Sequence, residues 1–215
     1  MLPRIRSRIE TTPETPPTTG LDDPSWIRRA MLLEQIAERY ASGVANPPQR
    51  RSTEDLFRIA VYDGEPLVRS VLADSLKRLP HAPRDIVLSL AHDESQVARP
   101  VLQSSPVLSD DDLVRVAREC SRAHRMAIAE RETVPLKVAE TLYEGQDPIV
   151  VRRLLANDGA VLAEGLLHAI LDSLGEAPGI VETMASRRLL PVSVIDRLTH
   201  YGTIELRRRP AQKRA

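Results

Sequence analysis

Cys120 and His124 stand four residues apart in ECSRAHRM, a spacing that on a helix offers two metal ligands from one face. A zinc site needs three or four ligands. The chain has no other cysteine, and His81, His92, His168 and His200 lie in separate segments. The pair therefore reads as surface or packing residues, and no metal ligand is assigned. Asp110, Asp111 and Asp112 follow Ser109 and form a second cluster. Three carboxylates can bind a cation, but at the first turn of a helix they also meet the positive end of its dipole and need no ligand. The sequence carries no HExxH, no phosphate-cradling glycine loop, no GxGxxG and no GxSxG elbow. No catalytic or cofactor-binding residue is assigned, and no cofactor is expected.

Arginines supply the third pattern. Arg69, Arg99, Arg125 and Arg152 recur at intervals of 30, 26 and 27 residues, each preceded by an acid: Asp63, Asp93, Glu119 and Asp147. Two readings stay open. Buried against the acids, these eight residues form a structural repeat ladder that fixes neighbouring units in register. Free on a surface, the arginines form an anion-binding stripe.

The elements that must carry this pattern are written in the same phrase. DGEPLVRSVLADS at 63–75 aligns without a gap on DESQVARPVLQSS at 93–105, and related copies follow at 117–131 and 147–157. Self-similarity at this period marks a repeat architecture. Each unit reads as two short helices. The first carries Leu56, Ile59 and Ala60, or Ile86, Val87 and Leu90; the second carries Val68, Val71 and Leu72, or Val97, Val101 and Leu102. Asp63-Gly64, Pro83 and Asp147-Pro148 punctuate them, and Ser109 before the acidic triplet marks a helix start. No segment alternates with period two for long enough to be a strand. The fold is expected to be all-α, an α-solenoid (alpha-alpha superhelix) of short helix pairs that bury their apolar faces against one another.

Asp-x5-Arg resembles the pattern of HEAT-type repeats, and that resemblance implies acid–arginine bonds between neighbouring repeats; the unit here is shorter than the roughly 40 residues usual for that class. The run APRDIVLSLAHDESQVARPVLQSSPVLSDDDLVRVARECSRAHRMAIAER, 82–131, is similar to the core signature of the bacterial family catalogued as domain of unknown function 2336. The similarity is dense there and thinner over 26–81 and 132–206. It implies a HEAT-like helical domain and carries no catalytic residues with it.

Composition sets the rest. Apolar residues make up 42% of the 215 positions but aromatics only 3%, so the core must be built from Leu, Val, Ile and Ala, which suits close-packed helices. A disordered tail is expected over 1–24, from the Pro/Thr-rich ETTPETPPTTGLDDP, with Asp23-Pro24 opening a helix. A helical-repeat domain is expected over 25–206: a leading helix at 25–45, core repeats from about 53 to 157 after a PPQRRST loop, and capping helices at 158–206. A basic disordered tail is expected at 207–215. That tail carries five positive charges and residues 1–20 a net one, leaving 21–206 at −6, since the whole chain is neutral. An acidic body disfavours a phosphate-tracking groove. A single cysteine, no apolar membrane span and no signal-peptide core point to a cytoplasmic protein. The expected function is a non-enzymatic scaffold or adapter that binds a protein partner in a regulatory role. The alternative is a nucleic-acid-associated protein using arginines of the tail or repeats; 27 arginines against 3 lysines are also what genome composition can produce.

Overall fold

The computed structural model describes residues 20–43 and 46–208, the last seven of these by backbone alone. Twelve helices follow in order: α1 (Trp26–Ala41), α2 (Pro47–Ala60), α3 (Pro66–Leu76), α4 (Arg84–Ala91), α5 (Ser95–Ser104), α6 (Asp110–Glu119), α7 (Arg122–Ala129), α8 (Leu136–Glu144), α9 (Pro148–Leu155), α10 (Glu164–Leu174), α11 (Ile180–Ala185) and α12 (Val192–Arg208). The class is all-α. Among the described residues the only extended contact is an isolated bridge between Val134 and Ala160, and no helix is long and apolar enough to cross a membrane. The segments 1–19 and 209–215, most of the two expected tails, lie outside the described residues. Residues 207 and 208 belong to the backbone of α12.

Local chemistry explains the helix starts. Ser109 Oγ accepts the Asp112 N–H at 3.3 Å while the Asp112 carboxylate accepts the Ser109 N–H at 3.0 Å, a reciprocal cap that satisfies two otherwise orphaned donors. Asp147 accepts the Ile149 N–H at 3.1 Å, and Pro148 follows where no N–H is needed. Two boundaries differ from those read in the sequence. The segment PPQRRST is the first half of α2 and not a loop. Asn46 and Gln49 form a capping box, and Pro47 and Pro48 fill the first helical positions, where proline is pre-organised for a helix. The first helix begins at Trp26 and not at Pro24, because the Asp23 carboxylate turns onto the Ser25 N–H at 2.7 Å and closes a local turn first.

Odd-numbered helices form one layer, each packing against the next from α1 through α11; in the other layer α6 lies on α8 and α10 on α12. Helices of a pair (α2 with α3, α4 with α5, α6 with α7, α8 with α9, α10 with α11) also touch. The core lies between them and is aliphatic: Leu33, Leu72, Leu90, Leu102, Ile128, Leu142 and Leu154 are fully enclosed. On α1 the stripe Ala30, Leu33, Ala37 and Tyr40 is buried, while Trp26 remains 41% exposed. On α2 the expected Leu56 and Ala60 are buried together with Phe57, whose ring meets Tyr40 edge-on with centroids 5.4 Å apart, while Ile59 is turned out, 61% exposed.

Candidate functional site

Of the repeated arginines, Arg69 lies deepest in a polar network. Its Nε and one terminal nitrogen grip the two Asp93 oxygens at 2.6 and 2.8 Å, and its other terminal nitrogen donates to the Asp63 carbonyl at 2.6 Å. Asp63 in turn receives Arg29 at 2.7 and 2.9 Å, and Arg29 donates to the Asp23 carbonyl. Arg29 holds the Asp63 carboxyl below its usual range. Burial pushes Asp93 upward, but the hydrogen bonds from Arg69 and the Glu94 N–H outweigh it and the group also sits low. Thus Arg29 on α1 reaches the start of α3, and Arg69 on α3 reaches the start of α5. The sequence reading passed over Arg29, although Asp23 and Arg29 repeat the six-residue offset of Asp63 and Arg69.

Further along the chain the partners change. His124, buried on α7, donates from Nε2 to the Asp93 carbonyl at 2.8 Å; in the preceding unit Arg69 serves the equivalent carbonyl. Asp147 is taken at 2.5 Å by Arg122, one helical turn before Arg125. Arg125 is left with a bond to the Cys120 carbonyl at 3.1 Å and a buried Nε without a hydrogen-bond partner among the described residues. Arg152 is exposed, with its stem beside Gly179. Glu119 is exposed, 3.8 Å from the His92 ring. Arg99 is 62% exposed and meets Glu130 at 3.1 Å.

A second periodic set escaped the sequence reading. Arg131, Asn157 and Arg187 each sit two residues past the end of an odd helix, at intervals of 26 and 30. Arg131 donates to the carbonyls of Leu102 and Ser105, Asn157 to those of Ala129 and Arg131, and Arg187 to those of Leu155, Asn157 and Ala160. Each therefore caps the C-terminus of the preceding odd helix, whose last carbonyls have no partner within the helix. Burial pushes both guanidiniums, Arg131 and Arg187, down from their usual range. The constant offset from the helix end was the available signal.

An open cleft of about 960 Å³ is lined by residues of α5 and α9 and of the connectors that follow α3, α5 and α7. Its walls carry Arg78, Arg99, Arg131 and Arg153 against Glu130 and Glu132, a formal excess of two positive charges, together with Gln103, Ser104 and Thr133. Glu130 is its hub. Little exposed, it accepts hydrogen bonds from Arg99 at 3.1 Å and from the Gln103 amide, and its carboxylate pairs with Arg153 at 2.6 Å. Arg78 is exposed and makes no hydrogen bond or ion pair among the described residues.

Other constellations resolve into structural roles. Ser193 Oγ lies 3.0 Å from His168 Nε2, the spacing of a nucleophile and its base. Arg197, which can only donate, points at His168 Nδ1 at 3.1 Å. The ring proton therefore sits on Nε2, and His168 cannot take the Ser193 proton, which goes to Glu164. Both His124 nitrogens are engaged, Nδ1 with Ser121 at 2.8 Å, and burial pushes the Cys120 thiol up. Among the described residues no three His, Cys, Asp or Glu side chains gather as a metal site requires. In the acidic triplet, Asp112 is buried in its cap and bound by Arg84 at 2.7 Å, and Asp111 pairs with Lys137 at 2.5 Å.

A family model described as an uncharacterised protein conserved in bacteria (DUF2336) matches residues 97–215, over half of the chain and through its basic C-terminus. No curated protein and no solved structure matches the chain.

Proposed function

The chain belongs to the bacterial DUF2336 family, and from that premise and the geometry we propose that it is a non-enzymatic scaffold: a HEAT-like α-solenoid whose odd-helix face binds a protein partner. The observation that carries this reading is the cleft. It is walled largely by charged side chains drawn from α5, from α9 and from the connectors that follow α3, α5 and α7. Helix pairs stacked in series present surfaces of this extended kind, and their binding faces run across several units. Asp63, Arg69, Asp93 and Asp147 serve as ladder residues in this reading, together with Arg29 and Arg122. Arg99 and Arg152 contribute exposed charge, Arg125 is half-buried against the Cys120 carbonyl, and Glu119 forms part of the outer surface. The repeat domain of 25–206 acts as one unit and works inside the cell.

Site-specific photo-crosslinking in the cell of origin tests this function. A photoreactive residue replacing Ser104, in the cleft, should give adducts with a defined protein; one replacing Glu140, exposed on α8, should not. Equal labelling from both positions, or adducts with nucleic acid alone, would overturn the reading.

A further inference from the structure

We propose that the cleft between α3, α5, α7 and α9 is a binding site for a phosphate monoester group. This deepens the scaffold reading by naming the chemistry that its cleft recognises. The argument begins at Glu130. Its carboxylate engages Arg99 and Arg153 through one terminal nitrogen each. Two guanidiniums are thereby held around a single anion, and the Nε and the second terminal nitrogen of both remain free to donate. A guanidinium has five N–H donors in a planar fork, so each of these arginines can serve Glu130 on one edge and a second oxyanion on the other.

Arg78 adds a third guanidinium with no partner of its own. It occupies the position two residues past the end of α3 that Arg131 and Arg187 hold after α7 and α11. Those two are spent on backbone carbonyls, whereas Arg78 is exposed at the cleft and makes no hydrogen bond or ion pair among the described residues. Arg131, in the same wall, contributes charge while both its terminal nitrogens are engaged with backbone carbonyls. The Ser104 and Thr133 hydroxyls line the same wall and make no hydrogen bond among the described residues.

Four arginines facing two glutamates leave two positive charges uncompensated. A phosphate monoester near pH 7 carries about −1.5 to −2 and three strong acceptor oxygens. It matches both the charge excess and the number of forks. A lone carboxylate would satisfy one fork and leave the excess half neutralised. The acidic character of the whole chain body does not decide the matter, because short-range arginine contacts act within a few ångströms, inside the Debye length of about 8 Å.

Calorimetric titration of the full chain with inorganic phosphate, with a phosphoserine peptide and with adenosine monophosphate tests the site and separates its sources. Saturable binding of the phosphate group is expected, and the tighter of the two esters names the source, a protein segment or a nucleotide. Arg78→Ala and Arg99→Ala should each lower affinity about tenfold or more, the size of a lost charge-assisted contact. Arg78→Ala is the decisive variant, because Arg78 makes no hydrogen bond or ion pair among the described residues and its loss should leave the fold unchanged. Undiminished binding by that chain, or no saturable heat with any of the three probes, would overturn the proposal. A chain that still gives protein adducts from position 104 but binds no phosphate overturns the phosphate site alone and leaves the scaffold reading standing.

Discussion

Arg69 and Arg99 occupy matched places in the twice-written phrase and have opposite energetic roles. Arg69 is 12% exposed, clamps Asp93 (15% exposed) through two bonds and holds a carbonyl with a third. Removing it strands a carboxylate and a carbonyl in a largely dry place. A fully buried pair broken from one side costs about 3–5 kcal/mol and an exposed pair is worth about 0–1 kcal/mol. Arg69→Ala should therefore lower unfolding free energy by about 2–3 kcal/mol in urea denaturation. Arg99→Ala should cost less than about 1 kcal/mol, since Glu130 keeps Arg153 and Gln103. Equal losses would show that the ion pairs do not differ as their burial implies. The sequence displays the arginines plainly, because they repeat on an apolar period. It does not display which acid each one meets. That depends on the rotation of one helix against the next, and a single turn moves Asp147 from Arg125 to Arg122. Backbone carbonyls have no sequence signature either, so the caps made by Arg131, Asn157 and Arg187 show only as an offset from helix ends.

Helix starts were legible at Ser109 and Asp147, where a capping side chain stands directly before the helix. The reading failed at Pro47-Pro48, where two prolines resemble a loop until Asn46 and Gln49 are recognised as a box. The connector from α9 to α10 was also opaque. There Asn157 Oδ1 accepts the Gly159 N–H at 2.9 Å, and the Val134 N–H reaches the Gly159 carbonyl at 3.2 Å, so two connectors lie side by side. A Cβ on Gly159 would stand 1.9 Å from the Glu132 carbonyl oxygen, a collision with backbone that no rotamer relieves. Gly159→Ala should cost about 1–3 kcal/mol, the usual range for overpacking. Because Glu132 and Thr133 line the cleft, the variant should also weaken any ligand held there. Chemical denaturation checks the first effect, and a variant as stable as the parent would mean that the two connectors separate at little cost.

Carboxylates at helix starts tie neighbouring helices together from α1 to α9, and this gives the stability of the molecule a pH dependence. Arg29–Asp63 joins α1 to the start of α3, Arg69–Asp93 joins α3 to α5, Arg84–Asp112 joins α4 to α6, and Arg122–Asp147 joins α7 to α9. Arg29 is the main cause that lowers Asp63; at Asp93, Asp112 and Asp147 burial pushes up, but hydrogen bonds and arginines prevail and hold each below the usual 3.8. A carboxyl held low binds its proton less readily in the folded chain than in the unfolded one. Its contribution is therefore complete above pH 3.8 and is lost as pH falls through the lowered folded values. The junction of α5 with α7 differs, since His124 and Arg131 hold carbonyls there. Urea denaturation at stepped pH should show little change in these contributions from pH 7 to 5 and a steep loss below about 3.8. Asp93→Asn, which removes one titrating group from the series, should give a lower starting stability and a shallower acid loss. A variant that starts lower but keeps the parent's full acid slope would show that Asp93 is not among the groups whose protonation loosens the stack.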